Sequence, residues 1–125
     1  MLSNPYDKYK TNSVNTATKE ELTLMLYDGC LKFITLAKMS IEEKSVEDAH
    51  NNIKRALDII GELDCTLNMK VNISNDLHRL YDFVNTQLID ADVYKKTEYL
   101  DAAKDVMTDI RDGWKDAMLA VKRGH

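Results

Sequence analysis

Residues 21–40 read ELTLMLYDGCLKFITLAKMS. The apolar residues in this stretch recur every three or four positions, which is a helical spacing and not a strand one. At about 100° per residue, Leu22, Met25, Leu26, Gly29, Phe33 and Leu36 form one stripe. Leu24, Tyr27, Leu31 and Ile34 form a second stripe, turned away by about a third of a circle or more. Only Asp28, Lys32, Thr35 and their neighbours make a polar strip. One bundle core needs one stripe. The sequence therefore predicts that the second is covered by the residues preceding the helix, by another subunit or by a partner's helix. The alternative is a central helix buried by its own chain.

Gly29 interrupts this helix at a cost of about 1 kcal/mol relative to alanine. It falls on the first stripe, level in an antiparallel bundle with Ile110 to Trp114, so a large indole opposite a missing side chain is expected. The triplet Leu26-Tyr27-Asp28 returns at Leu80-Tyr81-Asp82. The two are not equivalent, because Tyr27 lies on the second stripe and Tyr81 at the edge of a core stripe, so no duplication is inferred.

Working outward, Thr18 followed by Glu21 is a capping-box pattern that opens helix 1, expected over 18–40. Ser45 with Asp48 repeats the logic for helix 2, expected over 45–67. Asn72 or Ser74 opens helix 3, expected over 74–91, and Thr97 caps helix 4, expected over 97–121. Helix 2 turns Ala49, Ile53, Ala56, Leu57, Ile60 and Leu63 to one side. Helix 4 does so with Leu100, Ala103, Met107, Ile110, Trp114, Ala117 and Met118. Helix 3 uses Leu77, Leu80, Tyr81, Val84 and Leu88, with Phe83 and Ile89 off the stripe. Short connections make sequential helices antiparallel. The expected fold is all-α: an antiparallel up-down four-helix bundle over 18–125, preceded by a non-helical N-terminal arm over 1–17. That arm carries Leu2, Tyr6, Tyr9 and Val14, which are apolar enough to want a surface.

The 125 residues suffice for one domain with one core. Four glycines and one proline suit long helices with short turns. A net charge of −4 argues against nucleic-acid binding, which needs a basic surface. No run approaches a membrane span, and residues 1–18 hold no apolar signal-peptide core, so the expected location is cytoplasmic, without membrane insertion. Cys30 and Cys65 both fall in apolar helical patterns and are expected as reduced core residues, with a disulfide between them as the less favoured alternative.

Chemistry is sparse. A di-iron bundle needs two Glu-x-x-His motifs, and only Glu47 with His50 has that spacing. His50 and Lys54 faintly suggest a histidine phosphotransfer domain, with the lysine displaced by one position. His78 and Asp82 read as an outer-face pair one turn apart. No phosphate loop and no nucleophile beside a base is present, so neither an enzyme, a metal nor a cofactor is expected. Asp101, Asp105, Asp109, Asp112 and Asp116 make an acidic stripe beside Lys104, Arg111 and Lys115, read as a solvated, internally paired face with partner docking as the alternative.

Asn4-Pro5-Tyr6, Tyr9, Asn12 to Ala17 and the run from Glu21 to Ile34 strongly resemble the flagellar secretion chaperone family, FliS, in its Gram-positive form. Ile59 to Leu63, Leu67-Asn68, Leu80 to Phe83 and Trp114 to Ala117 fit the same pattern in order. The chain departs from it at Lys19, where many members have proline, and at Thr66-Leu67-Asn68, where many have Ser-Leu-Asp. The resemblance implies a cytoplasmic chaperone without ATPase activity. It would bind the disordered C-terminal segment of flagellin, prevent early polymerisation and help deliver it to the export-gate protein. Flagellar assembly or regulatory factors are further implied partners. A segment of that kind folds into helices by laying its apolar face into grooves between chaperone helices. The candidate contact residues are Tyr6, Tyr9, Val14, Leu24, Tyr27, Leu31, Ile34, Tyr81, Phe83 and Ile89. The arm is expected either to cover that surface and give way to flagellin or to stay and shape the groove. The chain is expected to be a monomer or weak dimer. The rival reading is a self-associating bundle whose spare helix-1 face is the dimer interface.

Overall fold

The computed structural model describes residues 16–124. The expected arm, with Tyr6, Tyr9 and Val14, therefore lies outside the described residues except for its last two positions. Four helices follow: α1 Lys19–Glu42, α2 Val46–Cys65, α3 Asn72–Tyr94 and α4 Thr97–Arg123. Among the described residues there is no strand. The protein is an all-α four-helix bundle. None of the described helices is long and apolar enough to cross a membrane.

Cross-links between neighbours show the antiparallel order. Along α1 and α4, Lys38 meets Asp101 at 2.8 Å, Asp28 meets Arg111 at 2.8 Å, and the Glu20 carbonyl accepts from Trp114 Nε1 at 3.0 Å. Along α2 and α3, His50 meets Asp92 at 2.8 Å and Asp64 meets His78 at 2.6 Å. In each series one number rises as the other falls. α1 packs on α2 and α4, and α3 packs on the same two.

Local chemistry sets the helix ends unevenly. At α1 the capping box is complete: Thr18 Oγ1 accepts from the Glu21 amide and Glu21 Oε1 accepts from the Thr18 amide, both at 3.1 Å. The Thr18 amide, and then its hydroxyl, hold the Glu21 carboxyl below its usual range. The other helices start without a side-chain cap. Ser45 instead donates to the Asp48 carboxylate at 2.9 Å, and Thr97 is the first helical residue after Lys96, not the cap. Packing, not capping, holds these three starts. Two turns use left-handed lysines, Lys44 at φ 60° and Lys95 at φ 53°. Lys95 secures its turn by donating from Nζ to the Asp92 carbonyl at 2.5 Å and carboxylate at 2.6 Å.

The core takes Tyr27, Cys30, Ile34 and Ala37 from α1 and Ile53, Ala56, Ile60 and Leu63 from α2. α3 adds Tyr81, Val84, Leu88 and Ala91, and α4 adds Leu100, Ala103 and Met107. Each fully buried large side chain contributes about 1.5–3 kcal/mol relative to leaving it in water. Among the described residues no buried side-chain N or O lacks a hydrogen-bond partner.

The expected stripes of α1 are corrected by this core. Tyr27 and Ile34, assigned to a spare face, are each 1% exposed, while Met25 of the supposed core stripe is 39% exposed. The physical reason is the square arrangement. α1 has a neighbour on each side as well as the bundle axis, so its apolar arc must be wide. The arc through Gly29, Phe33 and Ser40 lies toward α2, where Asn52 donates to Ser40 Oγ at 3.3 Å. The arc that holds Asp28, Leu31 and Lys38 lies toward α4. Tyr27, Cys30, Ile34 and Ala37 point between them. Two other expectations change likewise. Leu80 of α3 is exposed, and Cys65 is an exposed free thiol, whereas burial pushes the Cys30 thiol up to about 12.

Gly29 is level with Arg111, as the expected register required, but it does not face the indole. A methyl group added there would meet Ile59 Cδ1 of α2 at 3.4 Å, an ordinary van der Waals distance. Gly29→Ala should therefore raise stability by about 0.5–1 kcal/mol through helix propensity alone. Urea unfolding would read this as a higher midpoint at unchanged slope. A lower midpoint would show that the α1–α2 approach needs the glycine.

Candidate functional site

The apolar stripe of α4 runs past the end of the core. Met107 is its last fully buried residue, while Ile110 and Trp114 are partly buried. The Trp114 side chain reaches the Glu20 carbonyl in the first turn of α1, and α4 continues to Arg123. Thr18 to Leu24 at the start of α1 and Trp114 to Lys122 of α4 leave a gap between them that no fully buried residue fills. The result is a groove of about 480 Å³ between the start of α1 and the end of α4. Leu24, Trp114, Ala117, Met118 and Leu119 give it an apolar lining. Glu20 and Glu21 line it from α1, and Lys115 and Lys122 from α4, so both signs of charge accompany the apolar wall. Leu119 and Val121 remain 42% and 64% exposed.

Trp114 is held at two points. Its Nε1 donates to the Glu20 carbonyl, and its ring meets Tyr27 edge to face, with centroids 6.2 Å apart and planes at 78°. The Tyr27 hydroxyl in turn lies 2.6 Å from the Tyr81 hydroxyl, across the bundle diagonal between α1 and α3. The two repeated triplets thus meet through their tyrosines, a contact that no spacing rule within one helix signals.

The sequence-derived candidates separate into three groups. Tyr27, Ile34 and Tyr81 are interior and present no surface. Leu24 lines the groove, and Leu31 is partly buried against the core toward α4. Phe83 and Ile89 are exposed at 42% and 45%, but about 120° apart around α3, so they do not form one patch. Phe83 lies three turns before Tyr94, which tilts against Tyr99 of α4 at 5.9 Å, and so shares the α4-facing side of α3. Trp114, Ala117, Met118 and Leu119 were not singled out as contact residues. The signal for them was an α4 apolar stripe longer than a core ending near Met107 requires.

Elsewhere the polar groups serve the fold. His50 is tied to Asp92, whose carboxyl is raised by partial burial but lowered further by hydrogen bonds from Lys95 and His50, for a net depression. His78 pairs with Asp64 across α2 and α3, not with Asp82 as expected, and the Asp64 hydrogen bond raises its imidazole. Of the acidic stripe, Asp101 pairs with Lys38. Asp112 shares Arg111 with Asp28. Among the described residues no cluster of three or more metal-ligating side chains occurs.

Comparison with known proteins gives a consistent result. The family described as flagellar protein FliS matches residues 2–121. The flagellar secretion chaperone FliS of Bacillus subtilis (strain 168) is 43% identical, over 98% of this chain and 92% of that protein. The flagellar secretion chaperone FliS of Escherichia coli (strain K12) is 23% identical, over 87% of this chain and 82% of that protein. A solved structure described as a flagellar chaperone from bacteria superposes with a TM-score of 0.77 at 21% identity, covering 92% of this chain and 95% of that one. That last likeness speaks for the fold. The chain belongs to the FliS family of flagellar secretion chaperones, and its role is that of a flagellar export chaperone.

Proposed function

We propose, from that membership, that the chain is a cytoplasmic chaperone that binds the disordered C-terminal segment of flagellin and keeps it from polymerising early. It then hands the segment to the export-gate protein, and flagellar assembly or regulatory factors dock elsewhere on the bundle. The observation that carries this reading is the open apolar groove between the start of α1 and the end of α4. An amphipathic segment, unstructured before assembly, folds into a helix there with its apolar side on Leu24, Trp114 and Met118. Ordering the segment costs several kcal/mol of the gross interaction energy, which keeps the complex releasable without ATP hydrolysis. Exposed Phe83 and Ile89 supply two further apolar contacts on different sides of α3, which suits a segment that wraps the bundle.

The test is co-purification of the tagged chain with flagellin carrying or lacking its C-terminal segment. Capture of the intact flagellin alone supports the reading. Equal capture of both forms, or of neither, overturns it.

A further inference from the structure

Trp114 is the largest side chain lining the groove, and neither of its two fixed contacts comes from its own helix. One of them, the Tyr27 ring, is itself steered by a buried hydroxyl pair. Tyr27 and Tyr81 are 1% and 2% exposed. Their hydroxyls have no other hydrogen-bond partner among the described residues. Burial pushes both phenols above their ordinary range, so both keep their protons at neutral pH. We infer that Tyr81 and Tyr27 are positioning residues for the groove: the hydroxyl bridge across the bundle diagonal fixes the Tyr27 ring, whose edge in turn fixes the Trp114 indole against the groove.

The inference rests on the proposed use of the groove for flagellin, but its physical content does not. A buried hydroxyl left without a partner carries its full desolvation cost, whereas removing both hydroxyls together is nearly neutral. In Tyr81→Phe the Tyr27 hydroxyl is stranded in the core and its ring tilts to seek another acceptor. The edge contact with Trp114 shifts with it. In the double variant Tyr27→Phe/Tyr81→Phe no stranded group remains, and the two rings keep their packing. The single substitution should therefore disturb Trp114 more than the double one, although the single substitution touches neither Trp114 nor its direct neighbour's ring.

Trp114 is the only tryptophan in the chain, so intrinsic fluorescence reports it alone. The experiment compares Tyr81→Phe, the double variant and the wild type by emission maximum and acrylamide quenching. Ile53→Val serves as a core truncation on α2 that leaves both hydroxyls in place. Tyr81→Phe is expected to shift the emission and raise quenching, with the double variant and Ile53→Val close to wild type. Affinity for the flagellin C-terminal segment should fall about three- to tenfold in Tyr81→Phe and recover in the double variant, as expected for coupled neighbours. An unmoved Trp114 signal in Tyr81→Phe, or a double variant as perturbed as the single one, overturns the inference. If the fluorescence pattern holds while even the wild type fails to bind flagellin, the relay stands and the proposed function falls.

Discussion

Replacing Ile34 by alanine should lower the unfolding free energy by about 2–5 kcal/mol, while Met25→Ala should change it by no more than about 0.5 kcal/mol. Ile34 is fully buried on α1, in the same core as Cys30, Ala37 and Leu100. Truncation there removes the transfer energy of the lost carbons and leaves a cavity that helices on three sides cannot easily close. Met25 lies more than a third exposed on the outer side of the same helix and leaves no cavity when shortened. Against a total stability of about 5–15 kcal/mol for a domain of this size, the first loss would be plain in a urea titration. The contrast also reads the orientation of α1 directly. On the stripe assignment that periodicity suggests, Met25 is core and Ile34 is spare, so the order of the two effects would reverse. A Met25→Ala loss equal to that of Ile34→Ala would place α1 in the bundle the other way round.

That reversal shows where the sequence was legible and where it was not. α2 and α4 have one apolar stripe each, and the direction of the core followed from counting: Ile53, Ala56 and Ile60 on one, Leu100, Ala103 and Met107 on the other. The Thr18 cap was legible because a capping box is a purely local device. α1 was not legible in the same way, because its apolar arc covers most of the helix. Periodicity then reports how much is buried but not which part faces the axis. What decides the direction is the contact set of the neighbours, including Ile59 opposite Gly29 and Arg111 opposite Asp28. The same holds for His78, whose partner Asp64 sits in another helix and not one turn away. The groove depends on how the start of α1 and the end of α4 face one another. A gap of that kind appears in a sequence only as an apolar stripe, Trp114 to Leu119, that outlasts its core.

Trp114→Ala should weaken binding of the flagellin C-terminal segment by about 30-fold or more, the loss of about 2 kcal/mol typical of a buried aromatic anchor. The indole is the largest apolar surface in the groove and is already held by the Glu20 carbonyl and the Tyr27 ring. It therefore loses little conformational freedom when a helix settles on it, and that is what makes a contact strong. Removing it also takes a staple from between α1 and α4, so reduced affinity alone would not separate a lost contact from a loosened bundle. Met118→Glu separates them. Met118 lines the groove without belonging to the core, and a carboxylate there, even with Lys115 and Lys122 one turn away on α4, places a charge under the apolar face of the bound segment. This variant should keep the wild-type helicity and urea midpoint while losing affinity on the same scale. Calorimetry with the flagellin segment, alongside circular dichroism on each variant, measures both quantities. If Met118→Glu binds as tightly as the wild type, the segment does not lie in this groove, and the Trp114→Ala loss must then be assigned to the weakened α1–α4 packing.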